Sequence, residues 1–273
     1  MYRKILVPVV EPPDVAPLVR LASYLLEPKG EILVLHVITA RSMPETAKGW
    51  RASLRLVIPA HEAGAALDVT VTPEVKVAPD VAVEILERAE SEKADAILMT
   101  LSGKGKRRQH LPFLGHTSTA ILHHAACDVL IVNALALSMD HVGRVLVPTF
   151  TVHPPRKVMT AAEAVSTQMG GAPIVTVHLV EGRGTAVGED ADHQVRHPSH
   201  GTPLRLKTVL FPRGLFRRRG ALPQTILEVL RREGYGLCLL GEDRGAGETP
   251  FLGRPFIEEF FSQAPCPTVI LKG

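Results

Sequence analysis

Short apolar segments alternate with amphipathic segments along the chain. Residues 4–10 form an apolar run that ends at prolines, which predicts a buried strand, and a helix capped by Asp14 follows to about residue 26. The same reading predicts strands at residues 31–38, 67–77, 94–101 and 129–132, and helices at 44–66, from Pro79 onward, and at 115–125. The first of these later helices is expected to be interrupted or kinked at Pro59. Alternating strands and helices predict a parallel sheet covered on both faces.

Five segments of the first half recur in the same order about 140 residues later. The pairs are Leu6-Val7-Pro8 with Leu146-Val147-Pro148, Leu35-His36-Val37 with Val177-His178-Leu179, Ile85-Leu86-Glu87 with Ile226-Leu227-Glu228, Pro112-Phe113-Leu114-Gly115 with Pro250-Phe251-Leu252-Gly253, and Cys127 with Cys266. An ordered repeat of this kind predicts duplicated structural units. We therefore expect two domains, at residues 1–133 and 142–273, of which the second is a diverged copy.

Composition narrows the setting of these domains. Aromatic residues make up only 4% of the 273 residues, so the cores must be built from Val, Leu, Ile and Ala. The net charge of +3 is too small to indicate nucleic acid, and no apolar run approaches the ~18 residues that cross a bilayer. The three cysteines form no Cys-x-x-Cys pair. We expect reduced core thiols in a cytoplasmic protein, with neither nucleic-acid binding nor membrane insertion.

A set of motifs points to a known family. The run Lys-Ile-Leu-Val-Pro at residues 4–8, the Leu-His-Val at 35–37, a late glycine loop and His-His-Ala-x-Cys-x-Val-Leu-Ile-Val at 123–132 resemble the universal stress protein family. The resemblance covers nearly all of both halves. It implies an α/β fold of two tandem Rossmann-like (adenine nucleotide alpha hydrolase-like) domains, each a mostly parallel five-stranded sheet with helices on both faces. The polar residues 181–201 fall outside it, and we expect a mobile loop there.

Some members of that family bind ATP or AMP through a loop of Gly, two residues, Gly, nine residues, Gly and then Ser or Thr. Glycines let the backbone approach phosphates closely, and the following helix directs the positive end of its dipole at them. In the first half Ser102, Gly105 and Gly115 keep this spacing, with Ser102 in place of the first glycine. The resemblance implies the binding residues Val37, Ser102, Gly105, Gly115, His116, Thr117 and Ser118, for ATP or AMP with Mg²⁺.

The roles of these residues differ. Gly105, Gly115 and the backbone at His116 and Thr117 would hold phosphates, and the backbone of Val37 would meet the adenine. Four basic residues would neutralise phosphate charge: Lys104, Lys106, Arg107 and Arg108. The alternative is that these basic residues form a solvated surface turn.

Two departures argue against nucleotide. Val10 occupies the position where the ATP-binding members carry an Asp that holds the ribose, and the adjacent Glu11 points to the opposite face of an extended segment. In the second half that position is Phe150, and the loop of Gly241, Gly245 and Gly253 is shorter than the pattern. We expect no ATP site of the usual kind in the second half.

Other constellations have simpler explanations. His193, His197 and His200 have metal-ligand chemistry but no fixed geometry, so a flexible loop is expected and no metal ligand is assigned. His36 and His178 recur at one sheet position, which favours a structural, hydrogen-bonded role. A basic cluster at Arg213, Arg217, Arg218 and Arg219 is interpreted as a solvated loop, with an anion or partner site as the alternative. Hydrolase, kinase and dehydrogenase motifs are absent, so no catalytic residue is assigned and a weak ATPase is the most the resemblance implies.

Two functions remain open. The first is a stress-response protein that binds ATP or AMP through its first domain. The second is a nucleotide-independent adaptor or regulatory module that acts through a protein partner whose identity the sequence does not give. In either case, family analogy places the last strands, residues 129–132 and 268–271, side by side within the chain, and a homodimer is a further level of assembly.

Overall fold

The computed structural model describes residues 1–10, 12–39, 47–101, 114–133, 143–149, 154–182, 189–196, 203–212, 221–241 and 254–272. These residues form two compact units, one from residues 1–101 and 114–133 and the other from residues 143–271. Within the described ranges, no helix combines the length and the apolar character that crossing a membrane requires.

The first unit is a five-stranded parallel sheet in the order β3-β2-β1-β4-β5. Its elements are β1 (Tyr2–Pro8), α1 (Pro12–Leu25), β2 (Leu26–Thr39), α2 (Ala47–Leu67), β3 (Thr70–Ala78), α3 (Val81–Ser91), β4 (Ala96–Thr100), α4 (His116–His124) and β5 (Asp128–Val132). Right-handed crossovers put α1 and α2 on one face and α3 and α4 on the other. The packing agrees, because α1 contacts α2 and α3 contacts α4.

The central strands are apolar without interruption because both of their faces are covered. Ile5, Leu6 and Val7 on β1 are fully buried, as are Ile97 and Leu98 on β4. A parallel sheet under two helical layers requires this pattern, which is why the strands lack the polar alternation of a half-exposed sheet.

The second unit has the order β11-β10-β6-β7-β9-β8. Its elements are β6 (Val145–Thr149), α5 (Arg156–Gln168), β7 (Ile174–Gly182), β8 (Glu189–Arg196), β9 (Pro203–Pro212), α6 (Ala221–Glu233), β10 (Leu237–Gly241), α7 (Arg254–Gln263) and β11 (Thr268–Lys272). The helix α6 packs against α7, as α3 does against α4. The predicted α/β class with mostly parallel sheets is confirmed for both units.

Strand register follows the sequence repeat. Ile5 pairs with Ala96 across β1 and β4, and Val145 pairs with Leu237 across β6 and β10. The second pair lies 140 and 141 residues after the first, which is within the offsets of the repeated motifs.

The expectation of a loop in place of a strand in the second unit was wrong. The second sheet has six strands, because part of the segment 181–201 forms β8, which pairs antiparallel with β9. The polar composition suggested a loop, but a strand at the edge of a sheet need not bury a face and tolerates charged residues. In the first unit, α2 runs from Ala47 to Leu67 without an interruption at Pro59, and a kink at this proline stays a prediction.

Candidate functional site

The first unit has one point at which its chain connections diverge. From β1 the chain moves outward through β2 to β3, whereas β4 and β5 lie on the other side of β1. The helices that follow β1 and β4 therefore lie on opposite faces, and a crevice opens at the carboxyl ends of these two strands. Open α/β sheets bind ligands at such a switch point.

One wall of this crevice is a projecting strand. The strand β1 pairs with β2 as far as Pro8 opposite Leu35, whereas β2 continues beside β3 as far as Thr39 opposite Ala78. The backbone at Val37 therefore lies beyond the end of β1. It presents a strand edge toward the crevice.

A histidine fixes the end of β1. The Val9 N–H donates to the Leu35 carbonyl at 2.9 Å, and His36 Nδ1 lies 3.0 Å from the Val9 carbonyl oxygen. Because a carbonyl only accepts, the His36 Nδ1–H must be the donor. The predicted structural, hydrogen-bonded role of His36 is confirmed. The bond also sets the direction in which the chain leaves β1 at Val10.

The second wall is the amino end of α4. Gly115 is its N-cap residue, has an extended backbone and makes no side-chain cap bond. An α-helix leaves its first N–H groups without partners inside the helix, so those at His116, Thr117 and Ser118 are directed outward with a partial positive charge. The helix α3 differs, because Asp80 Oδ1 accepts from Ala82 and Val83.

No described residue fills the space beside Gly115 at the N-cap of α4. A Cβ atom built on Gly115 meets nothing within 4 Å. The glycine is therefore not required by packing within the described residues, and its φ of −65° is accessible to any residue. A close approach by a ligand remains as a physical reason for a glycine here.

The predicted site residues fall into two groups. Val37 lies on the projecting wall, and Gly115, His116, Thr117 and Ser118 form the first turn of α4, so the fold brings these five to the carboxyl edge of one sheet. Ser102, Gly105 and the four basic loop residues lie outside the described residues, as does Glu11. Val10 is described, and 61% of its surface is exposed at the end of β1. Sequence reasoning missed the contact between His36 and the end of β1, although the recurrence of this histidine was its signal.

The switch point of the second unit is packed differently. A Cβ atom built on Gly241, at the end of β10, would lie 2.0 Å from Val158 Cγ2 and 3.6 Å from Pro155 Cγ. Both residues belong to the start of α5, so this helix approaches its sheet too closely for any side chain at Gly241. The register equates Gly241 with Thr100, since each lies four residues after the residue paired with the central strand. Gly241 is therefore not the counterpart of Ser102, which lies two residues beyond Thr100.

The groups with shifted pKa values in the first unit lie at the opposite, amino edge. Lys4 Nζ is 2.6 Å from Glu31 Oε1 and 2.9 Å from Glu92 Oε2. Arg88 Nη2 lies 3.0 Å from Glu92 and 2.7 Å from Glu74. Hydrogen bonds to Glu31 and Glu92 raise the pKa of Lys4, and the bond from Lys4, with the charge of Arg88, lowers that of Glu92. This ion cluster joins three strands to α3 and has no part in the crevice.

The second unit has a cluster in the corresponding place. Tyr235 donates its hydroxyl to Glu233 Oε2 at 2.6 Å, Lys207 Nζ pairs with Glu233 Oε1, and Arg144 lies 5.2 Å from the centre of the Tyr235 ring. Burial raises the pKa of Glu233, but the bonds from Lys207 and Tyr235 outweigh it and leave that pKa lowered. Lys207 on β9 stands at the register position of Glu74 on β3. Glu74 pairs with Arg88 on α3 and Lys207 pairs with Glu233 on α6, so each unit joins this strand to the helix that follows it, with the charges reversed.

The environment of the cysteines disfavours their thiolate forms. No disulfide joins them, and Cys238 and Cys266 are buried whereas Cys127 is partly exposed. Burial raises the pKa of Cys266 to about 12 and raises those of Cys127 and Cys238 as well. Since the thiolate is the reactive form, Cys238 and Cys266 have the burial and the raised pKa of core thiols. Among the described side chains, no group of His, Cys, Asp or Glu is arranged to hold a metal ion.

Comparison with known proteins identifies the family. The model of the universal stress protein family matches residues 1–133. Residues 1–133 therefore form a domain of the universal stress protein family. No curated protein matches the chain significantly.

Solved structures of similar fold cover both halves of this chain. A universal stress protein from Archaeoglobus fulgidus has a TM-score of 0.62 at 17% identity, over 98% of this chain and 97% of that one. A putative universal stress protein from Pseudomonas aeruginosa has a TM-score of 0.60 at 10% identity, over 99% and 93%. The cytoplasmic domain of a prokaryotic cation chloride cotransporter has a TM-score of 0.56 at 9% identity, over 99% and 95%. At these identities the likeness establishes the fold alone.

Proposed function

We propose that this universal stress-type protein binds ATP or AMP at the switch point of its first unit. The phosphates lie at the amino end of α4, and the adenine lies along the backbone edge of Val37. The observation that carries the proposal is the first turn of α4, which has no side-chain cap and at which no described atom lies within 4 Å of a Cβ built on Gly115. Outward N–H groups and the helix dipole together favour an anion.

Basic residues in the loop that precedes this turn add positive charge beside it. Lys104, Lys106, Arg107 and Arg108 lie in the loop between β4 and α4, which gives that loop four positive charges. A phosphate chain bound at α4 carries several negative charges, so a basic neighbouring loop adds a screened attraction. Magnesium bound to the phosphates of ATP would offset part of that charge and would keep several of its waters.

The test is isothermal titration of nucleotide-stripped protein with Mg-ATP and, separately, with AMP. One site per chain with micromolar affinity, about −8 kcal/mol, is the expected result. Gly115→Val is the decisive variant. The new side chain meets no described atom of the protein, whereas it would clash with a phosphate bound at the N-cap. We expect at least a tenfold loss of affinity, with a stability cost below about 1 kcal/mol.

Gly143→Val is the matched control. Gly143 also has no described atom within 4 Å of a built Cβ, and it lies before β6 in the second unit. Equal affinities for Gly143→Val and the unaltered chain, beside a loss in Gly115→Val, would support the proposal. Absence of heat at millimolar nucleotide in the unaltered chain would refute it.

The second candidate is a nucleotide-independent adaptor. It is favoured by Val10, an exposed apolar residue directly after β1, at the position where the resemblance calls for an Asp. In that case both glycine variants would leave binding to the protein partner unchanged. Pairing of residues 129–132 with 268–271, a homodimer, a cytoplasmic location and the identity of the partner remain predictions for either function.

A further inference from the structure

Most residues on the buried face of α2 are small. Ser53, Ala60 and Gly64 are buried there with Leu56, at successive intervals of three or four residues. A Cβ atom built on Gly64 would lie 2.4 Å from Val71 Cγ2 on β3. This close approach fixes the rotation of α2 about its own axis, because turning the helix would bring a larger side chain against β3.

The opposite face of α2 is apolar and exposed. Leu54 and Ile58 lie one turn apart, and each keeps 51% of its surface exposed. Ala65 is also exposed, two turns after Ile58. Ile58 precedes the buried Ala60 by two residues, which places the two about 200° apart around the helix. We call Leu54, Ile58 and Ala65 the outer face of α2. Since rotation of the helix cannot bury this face, it is available to a partner.

Two opposite charges flank the outer face symmetrically. Arg55 lies three residues before Ile58, Glu62 lies four residues after it, and both are exposed. Seven residues place Arg55 and Glu62 on the same flank of α2, about 10 Å apart along its axis. At that spacing they do not pair with each other within one helix. Neither makes an ion pair with another described residue.

We propose that the outer face of α2 binds the same face of a second copy of this chain, with the two helices antiparallel. The two-fold axis passes beside Ile58 and Pro59, midway between Arg55 and Glu62. Each Arg55 then lies opposite the partner's Glu62, and two equivalent ion pairs form across the axis. This symmetry selects a second copy as the partner, because a face that carries both members of the ion pair is complementary to itself.

The size of this surface sets the strength of the dimer. An interface of one helix from each copy buries less than about 1,200 Å² in total, which is typical of a weak and reversible association. We therefore expect monomers at low concentration and dimers at high concentration. The inference does not rest on nucleotide binding, because none of the residues of α2 belongs to the crevice at the ends of β1 and β4.

Sedimentation velocity of the full chain from micromolar to millimolar concentration measures the dissociation constant of the dimer. Ile58→Glu places a charge beside the axis in both copies and should weaken the dimer at least tenfold. Val83→Glu is the matched control, since Val83 is 50% exposed on α3, and it should leave the dissociation constant unchanged. A thermal unfolding curve for each variant separates loss of association from loss of fold.

Exchanging the charges distinguishes a second copy from any other occupant. Arg55→Glu places a carboxylate opposite the partner's Glu62, and Glu62→Arg places two guanidinium groups together, so each single variant should associate at least fivefold more weakly. An equimolar mixture of the two variants should recover the association, as should the double variant, because both restore opposite charges across the axis.

Three results would overturn the inference. The first is a chain that stays monomeric at every concentration, as it would if residues 40–46 of the same chain covered the outer face. The second is a dimer that Ile58→Glu and both charge variants leave unchanged, which would place the interface elsewhere. The third is loss of association in both single charge variants without recovery in their mixture.

Discussion

The packing at Gly241 makes a sharp prediction about the second unit. Substituting Gly241 with Ala places a methyl group 2.0 Å from Val158 Cγ2, about 1.4 Å short of ordinary contact. Val158 is β-branched, 1% exposed and at the start of α5, so neither its rotamer nor its backbone moves freely. Overpacking of this kind costs about 1–3 kcal/mol. Replacing glycine with alanine also restricts the unfolded chain, which raises the free energy of unfolding by about 0.4–1 kcal/mol. We therefore expect a net destabilisation of about 1–2 kcal/mol.

A second variant, Val158→Ala, removes the Cγ2 atom with which the new methyl group clashes. Val158→Ala alone loses buried methyl groups and leaves a cavity, at a cost of roughly 1–3 kcal/mol. In the double variant the new methyl of residue 241 enters the space that Val158 vacates. The double variant should therefore be less destabilised than the sum of the single variants by about 1–2 kcal/mol.

The assay is urea unfolding followed by far-ultraviolet circular dichroism. Since two units can unfold separately, the transition that moves is compared across the four proteins of the cycle. Gly143→Ala is the control and should shift no midpoint, because its built Cβ has open space. The close approach of α5 to the end of β10 would be refuted if the stability changes of the two single variants added up to that of the double variant. It would also be refuted if Gly241→Ala left the stability unchanged.

Two further predictions concern titratable groups. Because hydrogen bonding to Lys4 lowers the folded-state pKa of Glu92 below 4.5, its contribution to stability is present above that pH and lost as pH falls further. Glu92→Gln should destabilise the protein at neutral pH and converge with the unaltered chain in acid, whereas Glu87→Gln on the exposed side of the same helix should track the unaltered chain throughout. At pH 8, a thiol reagent should modify at most one cysteine, the partly exposed Cys127, until denaturant exposes all three. Fast modification of two thiols in the native state would contradict the burial of the pair in the second unit.

The fold was predictable because its information is local and repeated. Uninterrupted apolar runs such as residues 4–10 indicate strands covered on both faces, and the ordered matches near an offset of 140 indicate a second unit of the same kind. The element boundaries shifted by a few residues, most at β2, which begins at Leu26 rather than residue 31. That early segment pairs Tyr2 with Leu26 before a register shift, and such an irregularity leaves no periodic signal.

The strand β8 and the approach of α5 could not be predicted, for different reasons. An edge strand needs backbone partners more than apolar side chains, so the polar residues of β8 carried no strand pattern. The distance between a helix and its sheet depends on the side chains of both, and a single glycine indicates a close approach only when its neighbour is known. At the candidate site the sequence predicted the residues of α4 and Val37, while the open space at Gly115 required coordinates.

The number of glycines and the packing around them favour different switch points as the ligand site. The second half keeps a glycine at the start of its loop, whereas the first half has Ser102 there, so a motif count favours the second half. The register equates Gly241 with Thr100, and α5 leaves no room for a side chain at Gly241, whereas the corresponding position in the first unit carries a threonine. Gly241 therefore allows α5 to approach the end of β10, whereas no described atom lies within 4 Å of a Cβ built on Gly115. A glycine supports a ligand site only where the space that its missing side chain leaves is not already filled by the protein.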